Sequence, residues 1–103
     1  MIVEFNEVKY KIKFVSPVSE FLLIDEEYVT GKTDFINKTI YIAKDLNPYT
    51  FKYTLMHELT HAAIDCFGFL QVPWNNEIVS DFMANYSTVI SIQYNYIISI
   101  LND

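Results

Sequence analysis

Apolar positions alternate with polar ones through the first half of the chain, then change to a helical spacing near Asp45. Val3 and Phe5, then Val8, Tyr10, Ile12 and Phe14, recur at every second residue, the period of half-buried strands. The break at Asn6-Glu7 predicts two strands joined there. Ser16-Pro17 pairs an N-cap residue with a first-turn proline and predicts a short helix through Leu23. Tyr28 to Asp34 and Thr39 to Ala43 read as a second strand pair, with Asn37-Lys38 in the turn. Asn47-Pro48 repeats the cap-and-proline signal, and the spacing stays helical until Gly68, a residue suited to the position after a helix end. Residues 69–74, ending in Pro73-Trp74, read as a loop. Asn75 or Asn76 caps a second helix over most of residues 77–101, whose last third alternates enough to be read as helix or strand.

The expected fold is therefore α+β: a small N-terminal sheet with one short helix, followed by two longer helices. Its 103 residues and 51% hydrophobic content predict one compact domain spanning 1–103, with a modest core. We find no linker, repeat or low-complexity stretch. A net charge of −6, with seven lysines and no arginine, lacks the basic stripe and guanidinium forks of nucleic-acid binders. Nucleic acid is set aside as a partner on that ground. A lone cysteine, Cys66, cannot form an internal disulfide and suits a reducing compartment. The N-terminal residues have no signal-peptide pattern, and no apolar run approaches the roughly 20 residues of a membrane span. The expectation is a cytoplasmic protein without membrane partners.

Both histidines of the chain fall in His57-Glu58-Leu59-Thr60-His61, an H-E-x-x-H motif inside the first long predicted helix. At helical spacing the two imidazoles lie about 40° apart on one face and one turn apart along the axis. Two such rings can reach one tetrahedral Zn²⁺ at about 2.0–2.1 Å. Glu58 points about 100° from His57, where a general base would take a proton from a water on the metal. A two-histidine site needs a further protein ligand. Cys66 projects about 160° from the histidine pair and is better read as a small packed thiol. Asp65, on the histidine side, reads as either an outer acceptor or an ordinary exposed carboxylate. Glu77 and Asp81 stand at i and i+4 on the second helix, so one can ligate while the other orients an imidazole through its free N–H.

His57-Glu58-Leu59-Thr60-His61-Ala62, followed by Asn76-Glu77-x-x-Ser80-Asp81, resembles the paired signatures of thermolysin-like gluzincin metallopeptidases. The short chain and the Glu77-x-x-x-Asp81-x-x-Ala84 spacing look more like the ImmA/IrrE-type minimal zincins, many of them encoded by phages and other mobile elements. The resemblance covers residues 54–84. It implies a minimal zincin fold, one zinc ion, His57, His61 and Glu77 as its ligands, Glu58 as catalytic base, and Asp81 as the partner of His57. The departures are a missing third histidine and a shorter interval from His61 to Glu77. An oxyanion donor must then come from elsewhere, and Tyr53, one turn before His57, and Tyr41, on the preceding strand, are candidates.

Two functional classes follow. The first is a zinc endopeptidase acting on a protein or peptide substrate, a cytoplasmic regulator or repressor among the options. The second is a non-catalytic, zinc-stabilised interaction domain with the same fold. A non-ligating glutamate beside the metal favours the first, because a purely structural site has no use for it. A third reading, an acidic module mimicking nucleic acid, rests on net charge alone and explains neither motif. The strand Thr39–Ala43 is either an edge able to pair with extended substrate or an interior strand.

Overall fold

The computed structural model describes residues 1–102. Strands β1 (Ile2–Phe5), β2 (Val8–Val15), β5 (Gly31–Asp34) and β6 (Thr39–Ala43) form a four-stranded sheet in the order β1-β2-β6-β5. The short strands β3 (Leu23–Ile24) and β4 (Glu27–Tyr28) form a separate hairpin. Two helices follow, α1 (Pro48–Cys66) and α2 (Asn76–Leu101), so the architecture is α+β with sheet before helices.

The first hairpin turns at Asn6-Glu7, both at positive φ (52° and 65°), as a two-residue type I′ connection demands. Asn47 caps α1 by accepting the Thr50 N–H at 2.8 Å, with Pro48 in its first turn. Gly68, at φ 83°, follows its end. Asn75 caps α2 in the same way, accepting from the Ile78 N–H at 3.0 Å. The ambiguous last third of α2 is helical through Leu101.

Two expected elements differ. The helix expected from Ser16-Pro17 shrinks to a single 3₁₀ turn, Glu20–Leu22, capped by Ser19. Ser16 instead closes a turn, its carbonyl accepting from the Ser19 N–H and its Oγ from the Val18 N–H. Only Leu22 of the 3₁₀ turn is buried, so a longer helix there would have no apolar face to bury. The strand expected over Tyr28–Asp34 is broken at Val29-Thr30. Its first part pairs with β3 and its second with β6.

β2 and β6 run parallel, register Ile12 with Ile40 and Phe14 with Ile42, which makes β6 an interior strand and β5 the edge. Alternation along β6 then serves two cores. Ile40 and Ile42 pack with Val3, Phe5, Leu55 and Leu59 beneath the helices. Tyr41 and Ala43 pack on the opposite face with Leu22. The helices run antiparallel: Phe67 at the end of α1 stacks on Tyr86 of α2, while Phe51 near its start lies with Tyr94 and Ile98. The loop between them is anchored by Phe69 and Trp74 against Phe82. No helix among the described residues is long and apolar enough to cross a membrane.

Candidate metal centre

α1 presents three kinds of surface around its circumference. Leu55, Leu59, Ala62 and Ala63 are fully buried and fix the helix on the sheet. Thr54 and Glu58 face β5. Gly31 of that strand permits the approach, because a Cβ there would lie 2.6 Å from Thr54 Cγ2 and 2.9 Å from Glu58 Cγ. His57 and His61 sit between this side and the solvent.

The two imidazoles converge. Their Nε2 atoms are 3.1 Å apart and their rings are nearly perpendicular, at 78°. Two donors on a tetrahedral ion with bonds of 2.0–2.1 Å stand about 3.3 Å apart, so the pair fits shared coordination of zinc without rearrangement of the helix. Each ring is braced by an aromatic neighbour. Tyr53, one turn earlier, stacks on His57 at 5.7 Å, and the edge of Phe35 meets His61 at 6.3 Å.

Glu58 is the buried member of the group, only 6% exposed. Thr33 Oγ1, on edge strand β5, donates to Glu58 Oε1 at 2.9 Å. The second oxygen, Oε2, lies 3.9 Å from His57 Nε2. The carboxylate is therefore held by one oxygen and turned toward the imidazoles with the other. A cleft of about 410 Å³ opens here between α1 and the edge strand, lined by Thr33, Phe35, Tyr53, His57, Glu58 and His61 among others. A second hollow of about 520 Å³ runs along the outer side of α1 and shares Tyr53, His57 and His61 with the first.

Glu77 and Asp81 are exposed on the first two turns of α2. Phe82, the residue after Asp81, packs against Phe69 and Trp74 of the preceding loop. Among the described residues no three His, Cys, Asp or Glu side chains are grouped to hold an ion. Tyr41 lies across the sheet from the histidines, stacked on Phe21 at 4.6 Å, whereas Tyr53 is at the site. Asp65 is neither an outer acceptor for the histidines nor an exposed carboxylate. It is 13% exposed and accepts from Lys38 Nζ at 2.6 Å and from the buried Tyr10 hydroxyl, tying the end of α1 to the sheet. Burial and this neighbouring carboxylate hold the Tyr10 phenol well above its usual range. Desolvation likewise pushes the adjacent Cys66 thiol up to about 11, an inert packed cysteine.

Thr33 and Gly31 escape a reading of periodicity and motif. A signal for Gly31 does exist: it is one of only two glycines and stands inside a strand pattern, a mark of close backbone approach. Thr33 has no local signal, since its partner is 25 residues away. Compared with family models, with curated proteins and with solved structures, the chain matches none of them.

Proposed function

We propose that the protein is a zinc-dependent metallopeptidase of minimal zincin type, with His57 and His61 as metal ligands and Glu58 as general base. The observation that carries this reading is the convergence of the two Nε2 atoms beside a buried, oriented carboxylate. A zinc ion held by the imidazoles supplies Lewis acidity that makes a water nucleophilic near neutral pH and polarises a peptide carbonyl. Thr33 holds Glu58 Oε1, which leaves Oε2 free to take a proton from the attacking water and return it to the departing amine. The edge strand β5 offers its open backbone to an extended peptide alongside the cleft. Tyr53, which stacks on His57, is the tyrosine that would donate to a developing oxyanion, after a side-chain rotation away from that ring. The substrate is a protein segment able to extend along β5, a cytoplasmic regulator or repressor among the options.

The second class is a non-catalytic, zinc-stabilised interaction domain with the same fold, whose closed site would need four protein donors. Metal content and proteolysis separate the two readings. Mass spectrometry of natively purified protein is expected to show zinc, lost in His57→Ala. Glu58→Gln is expected to keep the metal and lose at least about 10²-fold in cleavage of a denatured protein substrate. Zinc retained with no cleavage by the wild type supports the interaction domain instead. Absence of zinc, with none taken up on titration, removes both.

A further inference from the structure

β5 is an open edge of the sheet, and the phase of its hydrogen bonds decides which of its residues face outward. The Ala43 N–H donates to the Thr30 carbonyl at 2.9 Å, so Thr30 and Ala43 form a hydrogen-bonded pair. The register is uniform from Gly31 with Ile42 to Asp34 with Thr39, and it carries that alternation along the strand. Lys32 and Asp34 therefore bond to β6, while Gly31 and Thr33 turn their N–H and C=O groups away from it. These are the main-chain groups an added strand would meet. Both residues also line the cleft that holds His57, Glu58 and His61.

The same two positions face α1 on their side-chain side. Gly31 has no side chain, which lets β5 come close to Thr54 and Glu58. Thr33 places its hydroxyl 2.9 Å from Glu58 Oε1 and 3.3 Å from the Glu58 carbonyl oxygen. Among the described residues, Thr33 is the only side chain that donates to this buried carboxylate. The hydroxyls of Thr30 and Thr54 meet at 2.9 Å, a second tie that holds β5 to α1 without Thr33.

We propose that Thr33 is a positioning residue that places substrate and base relative to one another. Its main chain receives the extended peptide, and its hydroxyl orients the Glu58 carboxylate. Both contacts leave from one residue, so a peptide seated on β5 has its place relative to Glu58 fixed by the geometry of that residue. Glu58 remains the base, and Thr33 acts through it. This inference rests on the metallopeptidase reading above and assigns a role to a residue outside the H-E-x-x-H motif.

Two measurements separate the hydroxyl from the main chain, with reduced, carboxymethylated ribonuclease, an unfolded chain, as the probe. In the zinc-loaded protein, Thr33→Val keeps the shape of the side chain and removes its donor. It is expected to lower kcat by about 10²-fold and to leave KM and zinc affinity unchanged. Thr33→Ala, smaller and free of any clash, is expected to show the same split. Thr33→Ser restores the donor and is expected to recover most of kcat. Zinc-loaded Glu58→Gln binds the probe without cutting it, and NMR then follows amide exchange. The Gly31 and Thr33 amides are expected to exchange fast in the free protein and to become protected with the probe, whereas Lys32 and Asp34 are protected throughout. Wild-type kcat in Thr33→Val and Thr33→Ala, a loss that Thr33→Ser fails to restore, or a rise in KM alone would overturn the inference and leave the peptidase reading intact. So would Gly31 and Thr33 amides that stay unprotected. No cleavage of the probe by the zinc-loaded wild type would remove the peptidase reading and this inference with it.

Discussion

The two helices share an amphipathic design but are held very differently. Six of the 19 residues of α1 are buried, and it is packed against the sheet, the edge strand and α2. Only three of the 26 residues of α2 are buried, along the single line Phe82, Ile90 and Ile97. Val79, Met83, Ile92, Tyr96 and Ile100 of α2 remain exposed although they are large and apolar. The difference shows where precision is needed. A base and two imidazoles must keep fixed relative positions, and α1, enclosed on three sides, supplies that rigidity. α2 covers one flank of the core and leaves most of its circumference exposed.

Substitutions can break or sharpen this contrast. Leu59→Ala, at a fully buried position of α1, is expected to cost about 2–5 kcal/mol in denaturant unfolding. Asp65→Ala comes next, at about 1.5–3 kcal/mol, because it strips the buried Tyr10 hydroxyl and Lys38 of their common partner. Both measure how firmly α1 is clamped, one through its core face and one through its C-terminal tie.

The same tie predicts an alkaline limit. Tyr10 and Cys66 both have folded-state pKa values raised above their ordinary 10.0 and 9.0, so the native chain holds these protons more tightly than the unfolded one. Their contribution is complete below about pH 9 and is lost as pH climbs through the raised values. Melting temperature is therefore expected to fall above pH 9, and Tyr10→Phe is expected to blunt the fall. A flat profile to pH 11 would mean that the end of α1 is looser than its contacts indicate.

Ile92→Ala on the exposed side of α2 has the smallest expected effect, within about 0.5 kcal/mol at low protein concentration. A loss above 1 kcal/mol that grows with protein concentration would show that another copy covers this side of α2.

Local signals carried much of the architecture. The I′ turn at Asn6-Glu7, the caps Asn47 and Asn75 and the stop at Gly68 each act over a few residues, where side chain and backbone settle the conformation between them. The i, i+4 pairing of His57 and His61 belongs to the same class, since helical geometry alone places both rings on one face. The Ser16-Pro17 signal shows the limit of such reasoning, because a cap without an apolar face to bury made only a turn.

Tertiary packing decided the rest. The parallel pairing of β2 with β6 puts Tyr41 on the far side of the sheet and makes β5, rather than β6, the edge beside the histidines. Glu58 is buried and oriented only because Gly31 lets β5 approach and Thr33 then meets its carboxylate. The loop between the helices is anchored by aromatic packing among Phe69, Trp74 and Phe82, a contact that no periodicity in the chain announces. Backbone geometry determines which residues share a face of one element. Which faces then meet is settled by burial, and burial is a property of the whole assembled core.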